Sequence, residues 1–187
     1  MGTCGKNINM PATPQQLFDY FGKLGIEHST IEHKPLFTVE DGRDLWDKFP
    51  GLHCKNLFIK DKKDKIWLVV MPGDKRADLG KLEKRVGAAR FSFGKPELLL
   101  EVLGMTPGSV TPFALINDAQ KRVTVIFDED MMKAEQVNFH PLHNAASTTI
   151  RTTDLLKFAK SLGYEPLIVD CGSGVTEQQN SAVATGT

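Results

Sequence analysis

The stretches NLFIK (56–60), DKKDK (61–65) and IWLVVM (66–71) follow one another and decide the fold. The first and third are apolar and rich in branched or aromatic side chains, a composition typical of β-strands. The charged stretch between them suits a tight connection at the surface. We therefore predict a β-hairpin whose two strands lie at the centre of a sheet.

Helices are predicted on both sides of this hairpin. Thr13 can cap a helix that begins at Pro14 and ends at Gly25, because Gln16 can reach back to the amide of the cap. Two further helices are predicted to begin after Asp78 and at Pro96. A single helical turn is predicted near Trp46, and a last helix at 154–162.

A second hairpin is predicted from residues 113–117 and 122–128, two apolar runs separated by a polar linker. In the second run, Val123, Val125 and Phe127 alternate along one face, which favours a strand. Shorter strands are predicted at 29–33, 89–93, 147–151 and 166–170. Because hairpins and crossovers are mixed, we predict an α+β fold: one domain with a mixed, mostly antiparallel sheet flanked by helices.

The predicted domain spans 13–171. With 187 residues, of which 41% are hydrophobic, the chain is long enough for one well-buried core. Residues 1–12 are predicted to be a flexible N-terminus. Residues 172–187, rich in Gly, Ser, Thr, Gln and Asn, are predicted to be a disordered tail.

Charge and cysteine content restrict the class of protein. The 23 basic and 23 acidic residues balance, so no overall field attracts a polyanion. Residues 55–95 hold twelve basic against five acidic side chains, which favours either a phosphate-binding face or an ordinary lysine-rich surface.

Cys4, Cys54 and Cys171 form no C-x-x-C pair, so we expect a reducing, cytoplasmic location. No apolar stretch is long enough for a membrane helix, and no membrane partner is expected.

Common catalytic motifs are missing from the sequence. It has no G-x-x-x-x-G-K-[ST] loop, no G-x-G-x-x-G turn and no G-x-S-x-G elbow. Lys55 could activate the neighbouring Cys54, but without a recognisable partner histidine an inert thiol is favoured. His53, His140 and His143 could be combined into a metal site, yet a proline makes the last segment a turn. We therefore expect hydrogen-bonding histidines and neither a metal nor a cofactor.

Three segments together resemble one family: GLHCKNLFIKD (51–61), GMTPGSVTP (104–112) and NFHPLHN (138–144). In this order and spacing they are similar to YbaK-like editing domains, relatives of the insertion domain of bacterial prolyl-tRNA synthetases. The similarity is greatest to the freestanding alanine-specific branch, ProXp-ala, and extends over about 17–170. It implies a hydrolase that removes alanine from the tRNA for proline. The implied partners are the acceptor end of that tRNA and prolyl-tRNA synthetase.

The resemblance also assigns roles to individual residues. Lys55 matches an essential lysine that positions the substrate near the terminal adenosine, where a ribose hydroxyl of the tRNA helps to activate water. Gly108 allows close approach of the backbone to the aminoacyl group, and His140 shapes a pocket that excludes proline. These three are the predicted catalytic residues. The predicted substrate-binding residues are Asn56, Ser109, Pro112 and Asn144.

Two alternatives are compatible with the same sequence. A related deacylase for cysteine or another small residue on the same tRNA would share the lysine and the fold. A non-catalytic tRNA-binding or synthetase-associated module would keep the fold without the activity. The retained Lys55, Gly108 and His140 favour an enzyme.

Overall fold

The computed structural model describes residues 10–38 and 40–172. In these residues the α-helices are α1 (Pro14–Leu24), α2 (Arg43–Trp46), α3 (Leu79–Val86), α4 (Pro96–Leu103) and α5 (Thr152–Ser161). The strands are β1 (His28–Glu32), β2 (Leu52–Asp61), β3 (Ile66–Pro72), β4 (Phe91–Phe93), β5 (Val123–Asp128), β6 (Gln136–Phe139), β7 (Ala146–Arg151) and β8 (Leu167–Val169).

The predicted flexible start and the predicted tail fall largely outside the described residues, which include only 10–12 and 172 of them. Cys4 lies outside them as well. Among the helices of 10–38 and 40–172, none combines the length and the apolar character that a membrane span requires.

One eight-stranded mixed sheet organises the described chain, in the order β1-β7-β6-β2-β3-β5-β8, with β4 beside β2. Four of its seven pairings are antiparallel and three are parallel. The predicted hairpin is present as β2 and β3. The prediction of an α+β fold with a mixed, mostly antiparallel sheet flanked by helices is confirmed.

Both faces of strand β3 are buried, as is typical of a strand in a sheet that is covered on both sides. Helices α1, α4 and α5 pack against the larger core, and α3 packs against the smaller one. The side chains of β3 alternate between these cores: Ile66, Leu68 and Val70 belong to the larger, and Trp67, Val69 and Met71 to the smaller.

Strand β2 changes partners along its length. Its start, 52–53, pairs in parallel with β6, and its end, 59–61, pairs with β4. On this edge no strand of the described chain pairs with 54–58, whereas β3 pairs along the other edge. Lys55 and Asn56 therefore lie in a gap between two strands.

Local sequence signals set the helix ends as predicted. Thr13 Oγ1 accepts a hydrogen bond from the Gln16 amide at 3.2 Å, and the Gln16 side chain accepts one from the Thr13 amide at 2.9 Å. Gly25 follows α1 with φ 68°. Asp78 caps α3 by accepting from the Lys81 amide at 3.0 Å.

The predicted second hairpin is wrong. Residues Pro112–Asn117 form a 3-10 helix, and β5 pairs in parallel with β3 and β8. The first four side chains of this helix are buried, so the segment lacks the alternation of a half-buried strand. Thr111 caps its start. Asp118 closes the connection to β5 by accepting from the Val123 amide at 3.0 Å.

Strand β6 lies where we predict no strand. Its four residues alternate polar and apolar, but four positions are too few for a periodic signal. Asn138, an unfavourable strand residue, is held by donating to the Pro50 carbonyl at 2.9 Å and by accepting from the Thr149 hydroxyl.

A partly buried ion cluster joins the segment after β3 to the end of the described chain. Lys75 Nζ lies 2.9 Å from Asp128 and 2.7 Å from both Asp130 and Asp170. The Asp128 side chain is fully buried and that of Lys75 nearly so. Burial alone would lower the pKa of the Lys75 ammonium, but hydrogen bonds to the three carboxylates raise that pKa above its usual range.

Replacing Lys75 by Met is expected to lower the free energy of unfolding by about 3–5 kcal/mol, because it leaves Asp128 buried without its cation. Urea denaturation at pH 7 measures this. The control is Lys60→Met, since Lys60 pairs at 2.7 Å with Asp64, whose side chain is 82% exposed. The control should lose about 0–1 kcal/mol, and equal losses for the two variants would contradict the assignment.

Candidate active site

A cavity of about 280 Å³ lies beside the unpaired edge of β2. Its lining includes residues 36–38, 53–56 and 138–140 together with Gly108 and Ser147. This volume is close to the lower limit for small-molecule sites.

The structure brings four of the seven predicted site residues to this cavity. Lys55, Asn56, Gly108 and His140 line it. Of the residues that the structure describes, Ser109, Pro112 and Asn144 lie near it in the chain but do not line it. The cavity lining therefore gives no support to their predicted contact with substrate. Their own contacts indicate that they hold the backbone around the cavity in place.

Asn56 connects β2 to the turn that contains Gly108. Its Nδ2 donates to the Val110 carbonyl at 2.9 Å. Its Oδ1 is buried and accepts no hydrogen bond from the residues that the structure describes. Because a buried acceptor without a donor is unfavourable, a donor on a bound ligand would stabilise this side chain.

Gly108 needs its glycine for conformation rather than for space. Its φ of 87° lies in the left-handed region, which favours glycine. A Cβ there would be 3.6 Å from the Cα of Phe37, an ordinary contact. After Gly108 the chain is held by other contacts: the Ser109 amide donates to the Thr106 carbonyl at 3.1 Å, and Pro112 is buried at the start of the 3-10 helix.

Asn144 and Asp41 hold the wall segment 36–38 from two sides. Asn144 Nδ2 donates to the Leu36 carbonyl at 2.9 Å, and the Leu36 amide donates to the Asn144 carbonyl at 3.0 Å. Asp41 accepts from the amides of Phe37 and Thr38 at 3.1 and 2.9 Å. These two amides keep the pKa of Asp41 below its ordinary value. The wall is therefore fixed although Phe37 is 69% exposed.

His140 presents a neutral imidazole to the cavity. Its Nδ1 lies 2.9 Å from the Ala146 carbonyl, and since a carbonyl only accepts, Nδ1 carries the hydrogen and Nε2 is the acceptor. Burial lowers the pKa of His140, and the hydrogen bond to Ala146 offsets this only in part. The ring is therefore uncharged at neutral pH.

An aromatic wall completes the cavity. The Trp46 ring stacks on His53 with centroids 5.1 Å apart, and Phe49 meets His53 edge-on at 5.6 Å. His53 Nε2 donates to the Trp46 carbonyl at 3.2 Å, and burial lowers the pKa of His53. Within 10–38 and 40–172, no three His, Cys, Asp or Glu side chains form a group that could hold a metal ion.

No sequence pattern assigns this wall to the site. The only signal for it is the helical turn near Trp46, and α2 has four residues, too few to show which face is buried. Ser147, which also lines the cavity, is not predicted for a different reason. Its Oγ lies 2.9 Å from His33 Nε2, and this contact joins positions far apart in the chain. Cys54 also lines the cavity, but burial raises the pKa of its thiol above the usual range, so it is a poor nucleophile.

Comparison with known proteins identifies the family. The model of the aminoacyl-tRNA editing domain matches residues 33–158. This chain belongs to the aminoacyl-tRNA editing domain family, and the predicted resemblance to YbaK-like and ProX-type editing domains is confirmed.

Two relatives and one solved structure illustrate the similarity. Prolyl-tRNA synthetase associated domain-containing protein 1 of Danio rerio is 35% identical over 157 residues, which cover 83% of this chain and 85% of the relative. Prolyl-tRNA editing protein ProX of Acetoanaerobium sticklandii is 33% identical over 142 residues, covering 75% and 87%. The crystal structure of a proposed trans-editing enzyme for prolyl tRNA synthetase has the same fold, with a TM-score of 0.66, 20% identity, and coverage of 87% and 99%.

His140 is expected to titrate below its ordinary pKa of 6.5, which NMR of the imidazole ring can measure. Because the unfolded chain takes up this proton at higher pH than the folded chain, the contribution of His140 to stability is present above pH 6.5 and is lost as the pH falls through the folded pKa. His140→Gln should weaken this acid dependence. A titration midpoint at or above 6.5 would contradict the burial argument.

Proposed function

We propose that this chain is a trans-editing deacylase that hydrolyses the ester between alanine and the tRNA for proline. The observation that carries the proposal is the single cavity that Lys55, Asn56, Gly108 and His140 line together, in a chain of the editing-domain family. The relative ProX is named a prolyl-tRNA editing protein, which favours the tRNA for proline as the carrier.

The chemistry required of such a site is modest. An aminoacyl ester is already reactive, so the protein must position water and stabilise the developing oxyanion. The Lys55 ammonium suits ester or phosphate oxygens, because it combines a positive charge with hydrogen-bond donors. The turn at Gly108 lets the backbone approach the aminoacyl group, and the ribose hydroxyl beside the ester helps to activate the water.

Selection against proline depends on exclusion. Attraction separates substrates that differ by one methylene by only about 1–3 kcal/mol, whereas a cavity too small for the larger group rejects it. Here the rings of His140, Trp46 and His53 line the cavity. Because a volume of about 280 Å³ would hold either amino acid, discrimination has to come from how closely these rings approach the aminoacyl group. We therefore assign to these rings the limit on side-chain size.

Two further candidates share this site. A deacylase for cysteine or another small residue on the same tRNA would use the same lysine and cavity. The Danio rerio relative is named for association with prolyl-tRNA synthetase, which favours a non-catalytic tRNA- or synthetase-binding module as the other candidate. The same name supports the synthetase, besides the tRNA acceptor end, as a partner of the proposed enzyme.

Lys55→Ala is expected to lower kcat/KM for alanyl-tRNA of proline by at least about 100-fold, because it removes charge stabilisation of the oxyanion. The matched control is Lys62→Ala, which removes an exposed lysine from the turn of the same hairpin, about 20 Å along the strand. The control should keep the wild-type rate. A wild-type kcat/KM for Lys55→Ala would show that this lysine takes no part in the mechanism.

The wild-type chain is expected to hydrolyse the alanyl ester at least about 100-fold faster than the prolyl ester, because the size limit proposed for the rings of His140, Trp46 and His53 would admit a methyl group and reject the larger ring. The measurement is a deacylation panel that varies the amino acid (alanine, serine, cysteine, proline) and the tRNA separately. A highest rate with cysteine would favour the alternative deacylase. Hydrolysis of no ester in the panel would favour the binding module.

A further inference from the structure

Ser147 and His33 form a hydrogen-bonded pair at the cavity. Ser147, on β7, lines the cavity and is 8% exposed. Its Oγ lies 2.9 Å from Nε2 of His33, the residue that follows β1. The other ring nitrogen of His33, Nδ1, lies 2.8 Å from the Lys34 carbonyl.

When the His33 ring is neutral, as a proton acceptor has to be, these contacts fix the direction of both hydrogen bonds. The Lys34 carbonyl can only accept, so His33 Nδ1 carries the hydrogen, and Nε2 of the neutral ring is an acceptor. The Ser147 hydroxyl must therefore donate to Nε2, which leaves its oxygen lone pairs for other donors. A hydroxyl joined to an imidazole that a third group orients is the arrangement by which enzymes activate oxygen for attack on esters.

Other groups that line the cavity are poorly suited to take a proton. Burial lowers the pKa of both His53 and His140, which disfavours their charged forms. Burial raises the pKa of the Cys54 thiol, which therefore keeps its own proton. A ribose hydroxyl can pass a proton on but is too weak a base to hold one at neutral pH, so the reaction needs a further acceptor.

We propose that the pair of Ser147 and His33 accepts the proton of the attacking water. This role rests on the proposed deacylase function. As the water oxygen bonds to the ester carbonyl carbon, one water proton passes to Ser147 Oγ and the Ser147 proton passes to His33 Nε2. The Lys34 carbonyl keeps its hydrogen bond to Nδ1–H and stabilises the imidazolium.

The second half of the reaction returns this proton. When the bond between the carbonyl carbon and the ribose oxygen breaks, the ribose oxygen takes a proton from Ser147, which recovers one from His33 Nε2. The products are the free amino acid, whose new carboxyl group ionises, and the uncharged tRNA end. Ser147 is the catalytic residue because it contacts the water, and His33 is a positioning residue that acts through Ser147.

The test compares Ser147→Ala, His33→Gln and the double variant on alanyl-tRNA of proline. Each single variant should lower kcat by about 10²–10⁴-fold with little change in KM, and the double variant should fall no further, since the two act as one unit. The control is Thr148→Val. It removes another hydroxyl pair between β1 and β7, Thr30 with Thr148 at 2.7 Å, and should retain the wild-type kcat.

Several outcomes would overturn this role. Loss of kcat in Thr148→Val equal to that in Ser147→Ala would show that strand pairing alone is affected. Additive losses in the double variant would show that the two residues act independently. A wild-type kcat for Ser147→Ala would show that the serine takes no part in the reaction. An alanyl ester on Ser147, detected by mass spectrometry of the quenched reaction, would make it a nucleophile instead. A wild-type chain inactive on this ester would overturn the proposed function itself, and the pair with it.

Discussion

The change of partner along β2 is the constraint on which the rest of the site depends. The strand pairs with β6 at its start and with β4 at its end, so the edge between them is open to side chains. The loop through Val110 fills part of this gap by accepting a hydrogen bond from Asn56 at 2.9 Å. The remaining space is the cavity, with Lys55 beside Asn56 in its wall. A strand paired along its whole length on both edges would leave no room for it.

The walls are held by residues that do not line the cavity. Asn144 binds the backbone of Leu36 through two hydrogen bonds, and Asp41 binds the two amides that follow. Such support fixes the geometry of a site before a ligand arrives, which lowers the cost of ordering it on binding. It also gives Asn144 a physical role that differs from the substrate contact expected from sequence.

Much of the fold could be predicted from local signals. The capping box at Thr13, the cap at Asp78 and the two apolar runs of the β2–β3 hairpin each act within a few residues, so sequence alone predicts them. The segment Pro112–Asn117 could not be predicted, because burial on all sides makes an apolar run look the same in a strand and in a 3-10 helix. Parallel pairing of β5 with β3 depends on contacts distant in sequence.

The same distinction applies to the site. Lys55, Asn56, Gly108 and His140 were predicted through the family resemblance, since charge, spacing and composition alone would leave Lys55 as one more lysine. The rings of Trp46 and Phe49 and the pair of Ser147 with His33 depend on folding distant segments together. No local pattern marks them as parts of the site.

The most direct test is a crystal structure of the full chain with a non-hydrolysable amide analogue of alanyl-adenosine. The central claim is that the cavity beside β2 holds the aminoacyl group. It predicts density for the alanyl group between Lys55, Gly108 and His140, with the adenosine outside the cavity. Density at a second hollow, of about 450 Å³ and lined by residues of α1 and α4, with the β2 cavity empty would contradict the claim.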